Sequence, residues 1–161
     1  MRHLLFIAGA AACLAAAPAA AQTSAPFTVS LTITNECQIN SAGNLVFGSN
    51  GVIDANIDAS STLTVQCTNS TPYNVQLNAG TGSGATVTVR RMTGPASATV
   101  DYALYRETAR INIWGQTNGT NTVAGTGNGA AQPISVFGRV PPQNTPAAGA
   151  YSDTVTATIS F

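Results

Sequence analysis

The chain has 161 residues, of which only 7% are charged against about 25% in an average soluble protein, and lysine is absent. Six arginines balance six carboxylates, and without Arg2 the remainder carries a formal −1. This excludes a basic nucleic-acid footprint and polybasic attachment to anionic lipid.

Met1-Arg2-His3 is a short positive start, Leu4–Ala17 an unbroken apolar run, Pro18 a break, and Ala19-Ala20-Ala21 a set of small residues before Gln22. That is the three-part layout of a secretory signal, with an apolar run too short to span a bilayer. Residues 1–21 are therefore expected to be a signal peptide. Cys13 follows Ala10-Ala11-Ala12, but a lipoprotein cleavage site usually has Leu where Ala10 stands, so Cys13 is expected to leave with the leader. His3, the only histidine, leaves with it, and the processed chain then has no imidazole for a triad, a proton shuttle or a zinc site. No later stretch approaches membrane length. The remainder suits one exported domain, with no membrane insertion of the mature chain.

From Gln22 on, the chain reads in period two. Phe27, Val29, Leu31 and Ile33 alternate with Thr28, Ser30, Thr32 and Thr34 in the cleanest strand pattern of the sequence. Leu45-Val46-Phe47 is a shorter candidate. Leu63, Val65 and Cys67 share one face, Tyr73, Val75 and Leu77 another, and Val87 and Val89 a third. Val100–Arg106, Ile111–Trp114 and Ile134–Val140 follow. Val155, Ala157, Ile159 and Phe161 form the last alternation, which runs to the final residue. Gly, Asn, Pro and Ser cluster at 79–84, 115–129 and 141–149, which read as turns. One apolar and one hydroxyl-rich face per strand predicts an all-β, two-sheet antiparallel sandwich. The solvent faces use Thr, Asn, Gln and Ser in place of Lys and Glu, which leaves little repulsion between copies.

Two cysteines remain after the leader, Cys37 and Cys67. An even pair in an oxidising compartment reads as one disulfide; a metal site or redox pair would need more ligands or closer spacing.

Catalytic constellations are missing. Gly80–Gly84 and Gly125–Gly129 lack the Lys-Ser/Thr ending of a phosphate loop and open no helix, so they read as loops. Asp54 and Asp58 offer no pair with separated pKa values for glycoside hydrolysis. Glu107 between Arg106 and Arg110 reads as a surface ion pair, and Arg90-Arg91 as a solvated strand end. Trp114 and the tyrosines read as core or half-buried strand residues rather than a sugar platform. Asn69-Ser70-Thr71 and Asn118-Gly119-Thr120 match glycosylation sequons, a weak motif. No enzyme and no cofactor are expected.

An ordered series of motifs resembles the spore coat protein U family, which includes subunits of archaic chaperone–usher pili. It begins with Phe27-x-Val29-x-Leu31-x-Ile33 before Cys37 and Leu45-Val46-Phe47-Gly48. It continues with Leu63-x-Val65-x-Cys67-Thr68, Pro72-Tyr73-x-Val75-x-Leu77 and Tyr102-x-Leu104-Tyr105-Arg106. Trp114-Gly115, Val136-Phe137-Gly138-Arg139-Val140-Pro141 and Gly149-x-Tyr151-x-Asp153-Thr154-Val155 complete it. The resemblance implies an incomplete immunoglobulin-like β-sandwich of pilin type, one strand short. In it residues 22–36 form an N-terminal donor-strand extension and 37–161 the pilin-like domain. Phe27, Val29, Leu31 and Ile33 would be the donor side chains. Cys37–Cys67 would join the first two core strands. The terminal strand with Val155, Ala157, Ile159 and Phe161 would be what a periplasmic chaperone grips before an outer-membrane usher hands the subunit to a neighbour.

The expected function is therefore a structural subunit of an extracellular pilus built by donor-strand exchange and supporting surface attachment and biofilm. Its partners would be copies of itself or sister pilins. The competing readings are a self-contained secreted surface- or carbohydrate-binding module, a spore-coat or envelope structural protein of the same fold, and a hydrolase using carboxylates alone.

Overall fold

A computed structural model describes residues 19–161. The signal-peptide assignment, with Cys13 and His3, lies almost wholly outside the described residues. The chain divides into two units at Thr32–Ile33. In the first, residues 19–32 carry no assigned strand, and Phe27, Val29 and Leu31 are 86, 83 and 85% exposed. The expected first strand is thus an alternating segment to which no strand is assigned. Period two fixes which side chains share a face but supplies no ladder partner.

The second unit holds eight strands: β1 (Cys37–Ala42), β2 (Ile57–Cys67), β3 (Pro72–Leu77), β4 (Arg90–Thr93), β5 (Thr99–Tyr105), β6 (Val123–Thr126), β7 (Ala131–Val140) and β8 (Ala157–Ser160). They form a five-stranded sheet in the order β1-β2-β7-β5-β4 and a three-stranded sheet in the order β6-β3-β8. All pairings are antiparallel. The described residues contain no α-helix, and no helix long and apolar enough to cross a membrane. The two-sheet expectation is met.

The core lies between the sheets. Leu63, Val65 and Cys67 of β2, Val136 and Val140 of β7, and Val100, Tyr102 and Leu104 of β5 face Tyr73, Val75 and Leu77 of β3. Trp114 is fully buried where the chain crosses from one sheet to the other, and its Nε1 donates to the Val75 carbonyl at 2.8 Å. Cys37 and Cys67 are directly opposed in the β1–β2 ladder and are disulfide-bonded, with Cα atoms 4.0 Å apart.

Several local expectations are corrected. Val87–Val89 lies in bends and β4 starts at Arg90, because Thr86 closes a local turn by accepting the Val89 amide at 3.0 Å. Ile111–Trp114 contributes one isolated bridge, Ile113 to Tyr105. The 115–129 stretch contains β6, whose Gly125 lies where a side chain would strike the Tyr73 ring. Leu45–Phe47 is not a strand, although Leu45 and Phe47 pack on the core while Val46 is 71% exposed. Within the last alternation the assigned strand is Ala157–Ser160.

The polar assignments also change. Arg90 is no solvated strand end: it is fully buried, and its guanidinium donates to the carbonyls of Leu77, Asn78, Val87 and Trp114. Burial lowers its pKa to about 10, so it stays charged at neutral pH. Glu107 accepts from the amides of Ile111 and Asn112, and Arg110 pairs with Asp58 at 3.3 Å. Arg139 grips the same Asp58 with two hydrogen bonds of 2.7 and 2.8 Å. Loop chemistry at 107–112 and the register of β2 on β7 select these partners, and sequence spacing does not reveal either.

Candidate functional site

Both sheets leave one edge unpaired on the same side of the sandwich. β1 pairs only with β2, and β8 only with β3. The hydrogen-bonding parity shows what these edges offer. The Thr68 amide donates to the Glu36 carbonyl at 2.9 Å, so 36 with 68 and 38 with 66 are the bonded pairs. The main-chain groups of Cys37 and Ile39 consequently face away from β2. Likewise the Asn78 amide donates to the Thr156 carbonyl at 3.1 Å, which turns the main-chain groups of Ala157 and Ile159 away from β3. The side chains of these four residues pack against the core. Each edge therefore offers free amides and carbonyls from residues whose side chains point inward.

Below the level where β1 and β8 touch, the sandwich opens into a cleft of about 1160 Å³. One wall is the irregular segment from Ala42 to Ile53, and the other the segment from Thr145 through Ala157. The floor is apolar: Leu63, Leu77, Met92, Val100, Leu104, Val136 and Val140 line it. Gly138 makes room for the first wall, since a Cβ there would stand 2.8–2.9 Å from Leu45 and Phe47. The second wall is tied to the edge of the large sheet by reciprocal backbone hydrogen bonds between Thr93 and Ser152 of 2.8 and 3.1 Å.

A polar cluster lies in the cleft. Tyr102, on the floor, donates its hydroxyl to Asp153 Oδ2 at 2.7 Å. Asp153 Oδ1 accepts from the Thr81 amide at 2.7 Å, the Thr81 hydroxyl at 2.9 Å and the Thr154 amide at 2.7 Å. Burial alone would raise the Asp153 pKa, but these donors together hold it below the usual carboxylate value. Burial, reinforced by the Asp153 carboxylate, pushes the Tyr102 hydroxyl well above its ordinary value. The described residues contain no group of three or more His, Cys, Asp or Glu side chains placed to hold a metal ion.

Within the second unit the sequence-predicted residues fall in different places. Val155 and Ala157 line the cleft, Ile159 packs on the core beyond it, and Phe161 is 60% exposed. Ile33, 77% exposed, and the following residues to Glu36 lie beside Gln66, Cys67, Thr68 and Gly129. That is the Cys67 end of β2, whereas Ile57, at its other end, lines the cleft. Sequence reasoning missed the cleft walls themselves. Leu45 and Phe47 were visible as an apolar pair, but nothing in the spacing said that they would border an opening.

Comparison with known proteins completes the description. The Spore Coat Protein U domain family matches residues 23–158. "Protein U" of Myxococcus xanthus is 35% identical, over 96% of this chain and 94% of its own length. Among solved structures, the chaperone–tip adhesion subunit pre-assembly complex CsuC–CsuE, from the archaic chaperone-usher Csu pili of Acinetobacter baumannii, aligns with a TM-score of 0.58. That match has 23% identity over 81% of this chain, which spans 40% of the matched chain.

Proposed function

The chain belongs to the Spore Coat Protein U domain family, and on that premise we propose that it is a non-enzymatic subunit of an extracellular, pilus-type fibre. In this reading a neighbouring copy, or a sister subunit, supplies the strand that fills the cleft. One observation carries it: two unpaired strand edges flank an apolar cleft, while Phe27, Val29, Leu31 and Ile33 stand alternating and exposed in the same chain. An extended segment entering the cleft would pair first with the free groups of Ala157 on the β8 edge, the β-strand addition mode of recognition. Burying those four side chains contributes about 6–12 kcal/mol before ordering costs, and ordering the segment offsets a large part of that.

The positions of exit and entry favour assembly between copies. Ile33–Glu36 sit at one end of β2 and the cleft lies at the other. Donor and acceptor are therefore different surfaces, and a head-to-tail contact of this kind propagates as an open filament. The Csu subunit of the matched structure is held by a chaperone before assembly. A periplasmic chaperone is accordingly the proposed first occupant of the cleft here. An outer-membrane usher would be the site of exchange, and surface attachment and biofilm the role of the fibre.

Leu31→Asp in the processed chain tests the reading. It should abolish fibres while the thermal unfolding midpoint of the monomer stays within about 2 °C, since an exposed side chain contributes little to the fold. Fibres of normal length from this variant would refute the proposal.

A further inference from the structure

Tyr102 occupies a singular place in the cleft. It rises from β5 on the floor between the two walls. Its ring meets Phe47 of the first wall edge-on, with centroids 6.2 Å apart and planes at 65°. Its hydroxyl holds Asp153 of the second wall at 2.7 Å. Asp153 is braced from behind by the Thr81 amide and hydroxyl, and Gly80 leaves no room for a side chain between that loop and the carboxylate. One side chain thus touches both walls, and the wall it holds by hydrogen bond leads directly into the free edge of β8.

An open apolar cleft in water tends to close, because bringing its walls together removes apolar surface from solvent. At one end the walls are joined by the Ile53 amide, which donates to the Thr145 hydroxyl at 2.8 Å, and across the floor a second link is needed. The Phe47–Tyr102–Asp153–Thr81 chain supplies it, and its last contacts are directional hydrogen bonds to a carboxylate, which resist sideways movement better than apolar packing does. We propose that Tyr102 and Asp153 act as a strut: they are positioning residues that keep the empty cleft open and its β8 edge presented for an incoming strand. The inference rests on the strand-accepting reading above and adds a means of preorganisation to it. Preorganised sites gain affinity by avoiding an ordering cost at the moment of binding. The benefit therefore falls on association. Once a strand is seated, it separates the walls itself, and the strut no longer matters.

The test uses the full processed chain carrying Leu31→Asp, so that its own extension cannot act as a donor, and a synthetic peptide of residues 22–34 as the probe. Stopped-flow or surface-based binding is compared for this parent, for added Tyr102→Phe, for added Asp153→Asn, and for both together. The strut predicts an association rate lowered about tenfold in each, the factor expected for losing one hydrogen bond to a charged group. Dissociation should stay within about twofold, and the combined variant should be no slower than either alone, since both break one link. Merely structural damage would instead speed dissociation and leave the association rate unchanged. Should Tyr102→Phe not fold, Asp153→Asn carries the same comparison. Equal association rates in parent and variants would overturn the strut and leave strand acceptance standing; a parent that takes up no peptide would overturn both.

Discussion

Gly138 lies beneath Phe47, where a Cβ would stand 2.9 Å from Phe47 Cζ and 2.8 Å from a Leu45 methyl. The first cleft wall is seated on a missing side chain. Gly138→Val should lift Leu45 and Phe47 off β7 and destabilise the fold by about 1–3 kcal/mol, the usual cost of overpacking. Urea unfolding of the variant beside the wild type measures it.

The Cys37–Cys67 bond ties the first residue of β1 to the last of β2, closing a loop across a sequence separation of 30. Replacing both by Ser should cost about 3–4 kcal/mol in the chain-entropy description. Chemical denaturation should give that loss, and treating the wild type with reductant should reproduce it.

Arg90 is a buried cation satisfied by four backbone carbonyls drawn from β3, the 78–89 connection and the Trp114 crossover. Arg90→Ala leaves those carbonyls without a donor and should cost about 3–5 kcal/mol, enough to prevent accumulation of folded chain. Arg90→Lys keeps the charge but cannot reproduce the planar fork, and should be intermediate. Soluble yield and unfolding midpoints rank the three.

Stability should depend on pH only at the acid end of the ordinary range. Asp153 and Asp58 both have folded pKa values lowered from 3.8, Asp58 chiefly through its hydrogen bond with Arg139. The unfolded chain then binds more protons in this window, so the stability these groups provide is present above 3.8 and is lost as pH falls through their folded values. Denaturation midpoints should be flat between about pH 5 and 9, where no imidazole titrates among the described residues, and should fall below pH 3.8. Asp153→Asn should flatten part of that fall. A transition centred near pH 6–7 would contradict the assignment.

Much of this architecture was legible in the sequence, and the failures follow from physics. Alternation at Leu63–Cys67, Tyr73–Leu77 and Ile134–Val140 marked strands buried on one face, because period two reports burial directly. The same signal could not say whether Phe27–Ile33 pairs within its own chain, since faces and partners are separate properties of a strand. Val123–Thr126 hid among glycines, one of which serves packing against Tyr73. Arg90 looked like a surface charge because its partners are carbonyls, which carry no sequence signature. The cleft was least visible of all, as it opens where the 42–53 and 145–155 segments form no ladder with each other, and a missing ladder leaves no residue pattern.

The central claim is that a strand from one copy fills the cleft of another. It is tested most directly by replacing Phe27 with a photo-crosslinking phenylalanine derivative in isotopically light chain, mixed with heavy chain under assembly conditions. Mass spectrometry of the illuminated fibres should find residue 27 linked to cleft or β8-edge residues of heavy chains. Links confined to the light chain's own cleft, or links to surfaces remote from the cleft, would contradict the account.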